Sequence, residues 1–362
     1  MRDVARTADA PPSLSVIGAR VEDRIRDVLD EERARWAAVD PELIEPFEAL
    51  RELVLAGGKR LRPAFCHWAF TGAGGDPADR MVVDAGAALE LLHTFALIHD
   101  DIMDGSMMRR GRPAVHHLLA RHCGGEDAGR FGVNGAILLG DLCFTWADEL
   151  LDDPGDHHDA RPPRQPAVRR IVHAMRTELC LGQYLDLTGG TAADPLAHAW
   201  STIRYKTAGY TVEHPLRLGM ALAGADEAVL QTCEAYGRPL GEAFQLRDDL
   251  LGVFGDPAAT GKSALEDLRE GKATVLMALT RERATSRERA MIDELHGNTL
   301  LDEAGADRLR AIIRRTGADA EVAELIDRRV RRCRSVLDGA PITDPARHTL
   351  AALAGSATYR DR

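Results

Sequence analysis

The chain has 362 residues, with 46 Lys+Arg against 57 Asp+Glu for a formal net charge of −11, and 45% hydrophobic and 28% charged residues. That balance excludes a disordered chain and allows a sizeable core in one or two domains. The acidic excess and the 5% aromatic content exclude a broad nucleic-acid surface, which needs clustered basic residues and stacking platforms.

Residues 1–15 are polar, contain Pro11-Pro12 and lack the apolar stretch of a secretory leader, so they read as a disordered tail. A helical period opens at Val21, Ile25, Val28 and Leu29, and apolar segments of about 15–25 residues with spacing near 3.6 recur after it. Interruptions rich in Gly, Pro and Asp separate them at 71–77, 123–129, 152–166, 189–195, 224–226 and 255–262. No alternating, β-branched run marks a strand. The reading is all-α, with one domain over residues 16–345 and a C-terminal tail at 346–362. No run reaches the ~20 apolar residues of a bilayer span, so no membrane span is expected and the expected location is cytoplasmic.

Three features along the way read as ordinary surface or core. His157-His158 lie among prolines in 152–166, a solvated loop and not a metal face. The basic run Arg328-Arg329-Val330-Arg331-Arg332 reads as a solvated amphipathic face. Cys66, Cys123, Cys143, Cys180, Cys233 and Cys333 form no CxxC pair and are expected to be reduced core thiols.

The chemistry concentrates elsewhere. The segment 81–104, MVVDAGAALELLHTFALIHDDIMD, is apolar all round and ends in Asp100, Asp101 and Asp104. An all-round apolar helix is a buried one, and positions 100 and 104 share a face. Like charges this close need neutralising, and Mg²⁺ does so with one or two carboxylates while substrate phosphates complete its shell. A second apolar run, GEAFQLRDDLLG at 241–252, ends in Asp248-Asp249 beside Gln245. The two pairs are expected to face one cavity and hold several ions around a polyanion. Basic groups are spaced to match: GGKRLRP at 57–63, RRGRP at 109–113, Lys206-Thr207, then Lys262 and Lys272. Glycines in the first of these let an anion reach backbone N–H groups. The arrangement predicts two phosphate-bearing substrates, one held through Mg²⁺ and the other by Arg and Lys directly. The stretch 255–263 imitates a nucleotide phosphate loop but has five residues between its glycines and follows a helix; a lid carrying Lys262 and Lys272 fits better.

These motifs, with GQYLDL at 182–187 and YKT at 205–207, resemble those of the trans-type polyprenyl diphosphate synthases, in order and approximate spacing, from about residue 20 to about residue 340. The resemblance implies an all-α bundle of ten or more helices around a deep apolar cavity, usually a homodimer. It implies about three Mg²⁺ ions, with Asp100, Asp104 and Asp248 as ligands, Asp101 as a supporting acid and Asp249 beside Asp248; Asp101 and Asp249 count among the catalytic residues. Lys59, Arg62, His93 and Arg110 correspond to the isopentenyl diphosphate site; Arg109, Lys206, Lys262 and Lys272 correspond to the clamp on the allylic diphosphate. Thr207 and Gln245 would face the reacting carbons. One departure stands out: Gly252 occupies the place of the last acid of the second motif, with Asp256 as the expected partial substitute.

The implied reaction ionises the allylic C–O bond, adds the isopentenyl double bond to the cation and loses a proton. One aromatic and one small residue, Phe95 and Ala96, just before the first acid motif resemble the geranylgeranyl (C20) pattern, with a farnesyl (C15) enzyme as the nearest alternative. A class I terpene cyclase would lack a use for Lys59, Arg62 and Arg110, and a non-catalytic subunit of a synthase would not keep Asp100, Asp101 and Asp104. An HD-type phosphohydrolase, suggested by His99-Asp100, lacks a completing His/Asp set.

Overall fold

The computed structural model describes residues 12–152, 166–255 and 265–359. Within them the chain is helical apart from turns and one hairpin of two-residue strands, β1 (Met108–Arg109) and β2 (Arg112–Pro113), so the all-α reading holds. Of the tail expected to be disordered over 1–15, residues 1–11 lie outside the described residues, as do the His157-His158 loop, Asp256 and Lys262, whereas 12–15 are helical and correct that expectation.

The described residues separate into two compact units. The first comprises 12–169 and 218–224. It contains α1 (Pro12–Ala37), α2 (Ile44–Val54), α3 (Leu61–Gly72), α4 (Arg80–Met103), the hairpin, α5 (Val115–Cys123) and α6 (Ala128–Asp152). α4 is its central element. Asp79 caps it, accepting from Met81 N at 2.8 Å, and α1, α3 and α6 pack around it. Leu89, Leu91, Leu92 and Ile98 are buried to 2% exposure or less. By length and composition α4 could cross a membrane, with 61% of its apolar window buried. The expectation that no run is long enough therefore fails for α4: a mostly buried core helix carries as many apolar residues as a spanning one.

The second unit comprises 170–217 and 225–359. It holds most of α7 (Pro166–Thr188), then α8 (Pro195–Thr202), a π-helix over Ile203–Glu213 and the first turn of α9 (His214–Leu222), whose residues from 218 on fall in the first unit. α10 (Glu227–Phe254) is central, followed by α11 (Glu266–Glu270), α12 (Val275–Arg283), α13 (Ser286–Leu295), α14 (Glu303–Thr316), α15 (Ala318–Asp338) and α16 (Asp344–Thr358). α10 starts on Asp226, which accepts from Val229 N at 3.0 Å, and packs against the π-helix, α15 and α16. Most of the residues read as a C-terminal tail are thus α16. Leu350, Leu353 and Ala354 are buried there, and Tyr236 Oη donates to Leu350 O at 2.7 Å. All six cysteines are free; Cys66, Cys143, Cys233 and Cys333 are core thiols as expected, whereas Cys123 and Cys180 are exposed.

An eleven-residue π-helix is long, since π geometry is ordinarily confined to single turns near functional sites. Its neighbours make room for it. A Cβ at Gly182 of α7 would lie 2.3 Å from Lys206 N, and one at Gly241 of α10 would lie 2.4 Å from Ala208 Cα. Gly237 of α10 faces Glu213 in the same way, at 2.8 Å from its Cα.

Candidate active site

The first unit carries an acidic end and a basic turn. Asp100 and Asp104, both half-buried, sit four residues apart at the last turn of α4, and Asp104 is its C-cap. Carboxylates at a helix C-terminus oppose its dipole, so a cation must offset them. Arg109, on β1, does so: its Nε donates to Asp101 Oδ1 at 2.8 Å, its Nη2 donates to the same oxygen, and Nη2 stands 3.5 Å from Asp100 Oδ2. Burial alone would lower the Arg109 guanidinium, but the bond and charge of Asp101, with Asp100 and Asp104, raise it overall. Asp101 is 1% exposed, and its Oδ2 is buried without a hydrogen-bond partner among the described residues.

The hairpin also reaches the glycine turn before α3. Gly57 (φ 87°) and Gly58 (φ 159°) make a turn closed to most side chains, and Arg110 Nη1 donates to Gly57 O. Arg60 and Arg110 are the non-glycine residues with left-handed backbone among those described, at φ 47° and 52°, a strain that persists only where surroundings hold it. For Arg60 the hold is a buried ion pair with Glu90, a 3.0 Å bond to Glu22 and a 2.7 Å bond to Val54 O. Sequence reasoning placed Arg60 inside a basic motif and missed Glu90; an acid in the middle of the apolar run 81–104 was the available signal.

His93 lies among these groups. Burial, then the charges of Arg62, Arg110, Arg109 and Arg60, hold its imidazole well below the usual value, so it is neutral at physiological pH. Burial and the neighbouring arginines also lower Arg110, with Glu90 opposing them. Arg62 and Arg110 beside one neutral histidine form an anion-attracting group, with Arg60 and Arg109 close by and already paired to Glu90 and Asp101, and exposed Lys59 stands at the turn. Phe95 meets His99 at 4.6 Å and Phe144 of α6 at 5.1 Å between ring centroids, with Ala96 half-buried beside it.

The second unit carries the other set. On the π-helix, Lys206 Nζ donates to Asp186 Oδ2 at 2.7 Å. Asp186 belongs to the GQYLDL motif, whose acid received no role from sequence alone. Thr207 Oγ1 donates to Gln245 Oε1 at 2.7 Å, and Gln245 Nε2 donates to Asp249 Oδ1 at 2.7 Å. The chain of bonds joins the π-helix to α10. Asp249 is buried, and burial pushes its carboxyl up to about 8, with Asp267 and Asp248 adding to the rise and Gln245 opposing it. Asp249 is therefore an anchor for Gln245 and mostly protonated near neutrality, whereas Asp248 next to it is half-buried. Lys272 Nζ pairs with Asp267 Oδ1 at 3.1 Å and Glu270 Oε2 at 2.9 Å; burial would lower it, and the two acids raise it instead.

Among the described residues no group of three or more His, Cys, Asp or Glu converges closely enough to hold a metal ion alone. The donor set nevertheless fits Mg²⁺: Asp100 and Asp104 offer hard carboxylate oxygens, and a Mg²⁺ site needs only one or two of these when phosphates supply the rest.

Three comparisons bear on this arrangement. The polyprenyl synthetase family model matches residues 45–313. The short chain isoprenyl diphosphate synthase of Methanothermobacter thermautotrophicus is 34% identical over 270 residues, covering 74% of this chain and 77% of that protein. A geranylgeranyl pyrophosphate synthase from Corynebacterium glutamicum, solved with isoprenyl diphosphate and magnesium, superposes with a TM-score of 0.89 at 37% identity over 96% of this chain and 99% of its own.

Proposed function

The chain belongs to the polyprenyl synthetase family and is an isoprenyl diphosphate synthase, and from that premise we propose that it condenses isopentenyl diphosphate with an allylic diphosphate to give a C20 product. The observation that carries the reading is the acid end of α4 held by Arg109 on the hairpin whose next residue, Arg110, binds the Gly57 carbonyl. One short segment thus ties a carboxylate pair to a cluster of guanidinium groups.

In this reading Lys59, Arg62, His93 and Arg110 hold isopentenyl diphosphate. His93, neutral, orients the phosphate without adding charge to an already cationic surface. Asp100, Asp104 and Asp248 would hold Mg²⁺, about three ions in all, which when bound neutralises the allylic diphosphate and makes it a competent leaving group. Arg109, Lys206, Lys262 and Lys272 grip that leaving group. Each described cation of this set already has a carboxylate partner (Asp101, Asp186 or Asp267) that fixes its head group before substrate arrives. Thr207 and Gln245 present oxygen dipoles toward the developing cation, and Asp249 fixes Gln245 so that its carbonyl oxygen is turned to Thr207 and its amide to the acid. Phe95, in edge-on contact with His99 and Phe144, is the proposed floor for the growing chain.

A homodimer is part of the same proposal. α6 exposes Phe131 and Leu138, seven residues apart on one face, and α7 exposes Leu181, Tyr184 and Leu187; Leu138 and Tyr184 are 64% and 65% exposed. Apolar faces of this kind mark association surfaces.

The test is elongation of labelled isopentenyl diphosphate by purified protein on C5, C10 and C15 primers, with Mg²⁺ present or chelated. A Mg²⁺-dependent C20 product is expected. A C15 product alone would overturn the chain length, and no elongation from any primer would overturn the assignment of the acids.

A further inference from the structure

The second acid motif runs Asp248-Asp249-Leu250-Leu251-Gly252, and the last position, four residues from Asp248, has no side chain. Gly252 lies inside α10, where any residue's backbone is at ease. A neighbour is what requires glycine there. A Cβ at 252 would stand 1.8 Å from Asp267 Oδ2 and 2.8 Å from its Cγ, both inside van der Waals contact. The Asp267 carboxylate therefore fills the space that a side chain on residue 252 would take.

It is held there firmly. α11 is short, but Leu268 is 1% exposed in the core. Arg269 donates twice to Leu301 O, at 2.9 and 2.6 Å, and Gly297 N donates to Leu268 O at 2.9 Å. Asp267 O accepts from Lys272 N at 3.3 Å while Oδ1 accepts from Lys272 Nζ. One carboxylate thus faces α10 with one oxygen and holds Lys272 with the other.

We propose that Asp267 supplies, from the element after α10, the carboxylate that the second acid motif lacks at position 252, and that Gly252 is glycine in order to admit it. Asp267 is a positioning residue. It adds negative charge on the same flank of α10 as Asp248, since positions 248 and 252 are one turn apart, and it fixes the Lys272 ammonium. This deepens the functional reading above and rests on it. Asp256, the substitute expected from sequence, lies outside the described residues, whereas Asp267 is pinned in place.

The experiment relocates the charge. Mg²⁺ binding in the presence of inorganic pyrophosphate is titrated calorimetrically, and KM is measured separately for the allylic and isopentenyl substrates. Asp267→Ala is expected to weaken Mg²⁺ binding about tenfold, the scale seen for groups that support a metal site, and to raise the allylic KM with the isopentenyl KM unmoved. Gly252→Ala, which evicts the carboxylate, is expected to do the same. The double variant Gly252→Asp/Asp267→Ala returns a carboxylate to the same place from α10 and is expected to recover most of the loss. Wild-type Mg²⁺ affinity in Asp267→Ala overturns the proposal, as does a folded double variant no better than Asp267→Ala. If the double variant melts early by circular dichroism, Asp267→Asn decides: it keeps the shape and loses the charge, so wild-type affinity there overturns the proposal and a loss supports it. A wild-type protein that elongates no primer and binds no Mg²⁺-pyrophosphate would overturn the functional reading itself, a result distinct from any difference among variants.

Discussion

Arg109 donates from both Nε and Nη2 to one oxygen of Asp101, so the two residues form a clasp between β1 and the last turn of α4. The pair is buried, and removing one partner leaves a buried charge. Asp101→Asn is expected to cost about 3 kcal/mol of stability, since Asp100 at 3.5 Å covers part of the loss. It is also expected to lower kcat/KM for the allylic substrate about a hundredfold. Urea unfolding and initial rates check the two parts separately. Unchanged stability would mean that Asp100 alone carries Arg109.

Asp100→Ala should abolish elongation while leaving the fold intact, because Asp100 is half-buried and its removal relieves repulsion from Asp101 and Asp104. The measurement is product formation beside a thermal melt, with chelation of Mg²⁺ in wild type as the parallel arm. A variant that still turns over would remove Asp100 from the ligand set.

Asp249 gives a prediction at high pH. Its folded-state pKa of about 8 lies above the ordinary 3.8. The fold holds a proton there that the unfolded chain releases, so this stabilisation is complete below pH 3.8 and is lost as pH rises through 8. Asp249→Asn, which mimics the protonated acid, is therefore expected to be more stable than wild type at pH 9, by about 2 kcal/mol or more. Urea midpoints at pH 6 and pH 9 test it. An equal gap at both values would contradict the buried, protonated acid.

His67 gives the opposite sign. Burial, with the charge of Arg20, lowers it to about 4 from 6.5, so the unfolded chain takes up a proton that the fold excludes. Its contribution is present above pH 6.5 and lost as pH falls to 4, on the order of 3 kcal/mol. Between pH 6.5 and 4.5 the stability of His67→Gln should fall less steeply than that of wild type. Parallel curves would show that His67 is not among the acid-sensitive groups.

Phe95→Ala should lengthen the product, since the ring that meets His99 and Phe144 is the proposed floor. Chain length of the dephosphorylated products reads it directly. Unchanged length, with a loss of about 2 kcal/mol in stability, below that of a fully buried phenylalanine because the ring is half-buried, would make Phe95 packing and nothing more.

What the sequence made legible follows from the physics of each signal. The all-α fold was legible because buried helices write long apolar runs, and α4 and α10 do so clearly. The acid pairs were legible because carboxylates clustered at the end of such a run repel one another and, at the end of α4, oppose the helix dipole. Glu90, Asp186 and Asp267 were not, because each works through a partner far away in sequence: Arg60, Lys206 and the empty Cβ position of Gly252. A short apolar stretch with turn residues hid α16, and no periodicity separates a π-helix from an α-helix over eleven residues. Two assignments kept their residues and changed their sense. Asp249 became an anchor for Gln245, and Arg109 came with its carboxylate already bound.

The three glycines around the π-helix bear on how this protein can be recombined with its relatives. Lys206 and Thr207 keep their register only while Gly182, Gly237 and Gly241 leave the widened coil its room. A chimera that took the π-helix from one parent and α7 or α10 from another, with alanine at any of those three places, would press directly on the backbone at Lys206, Ala208 or Glu213. The residues from Gly182 to Asp249 thus travel as one cassette, and crossover points for shuffling belong outside it.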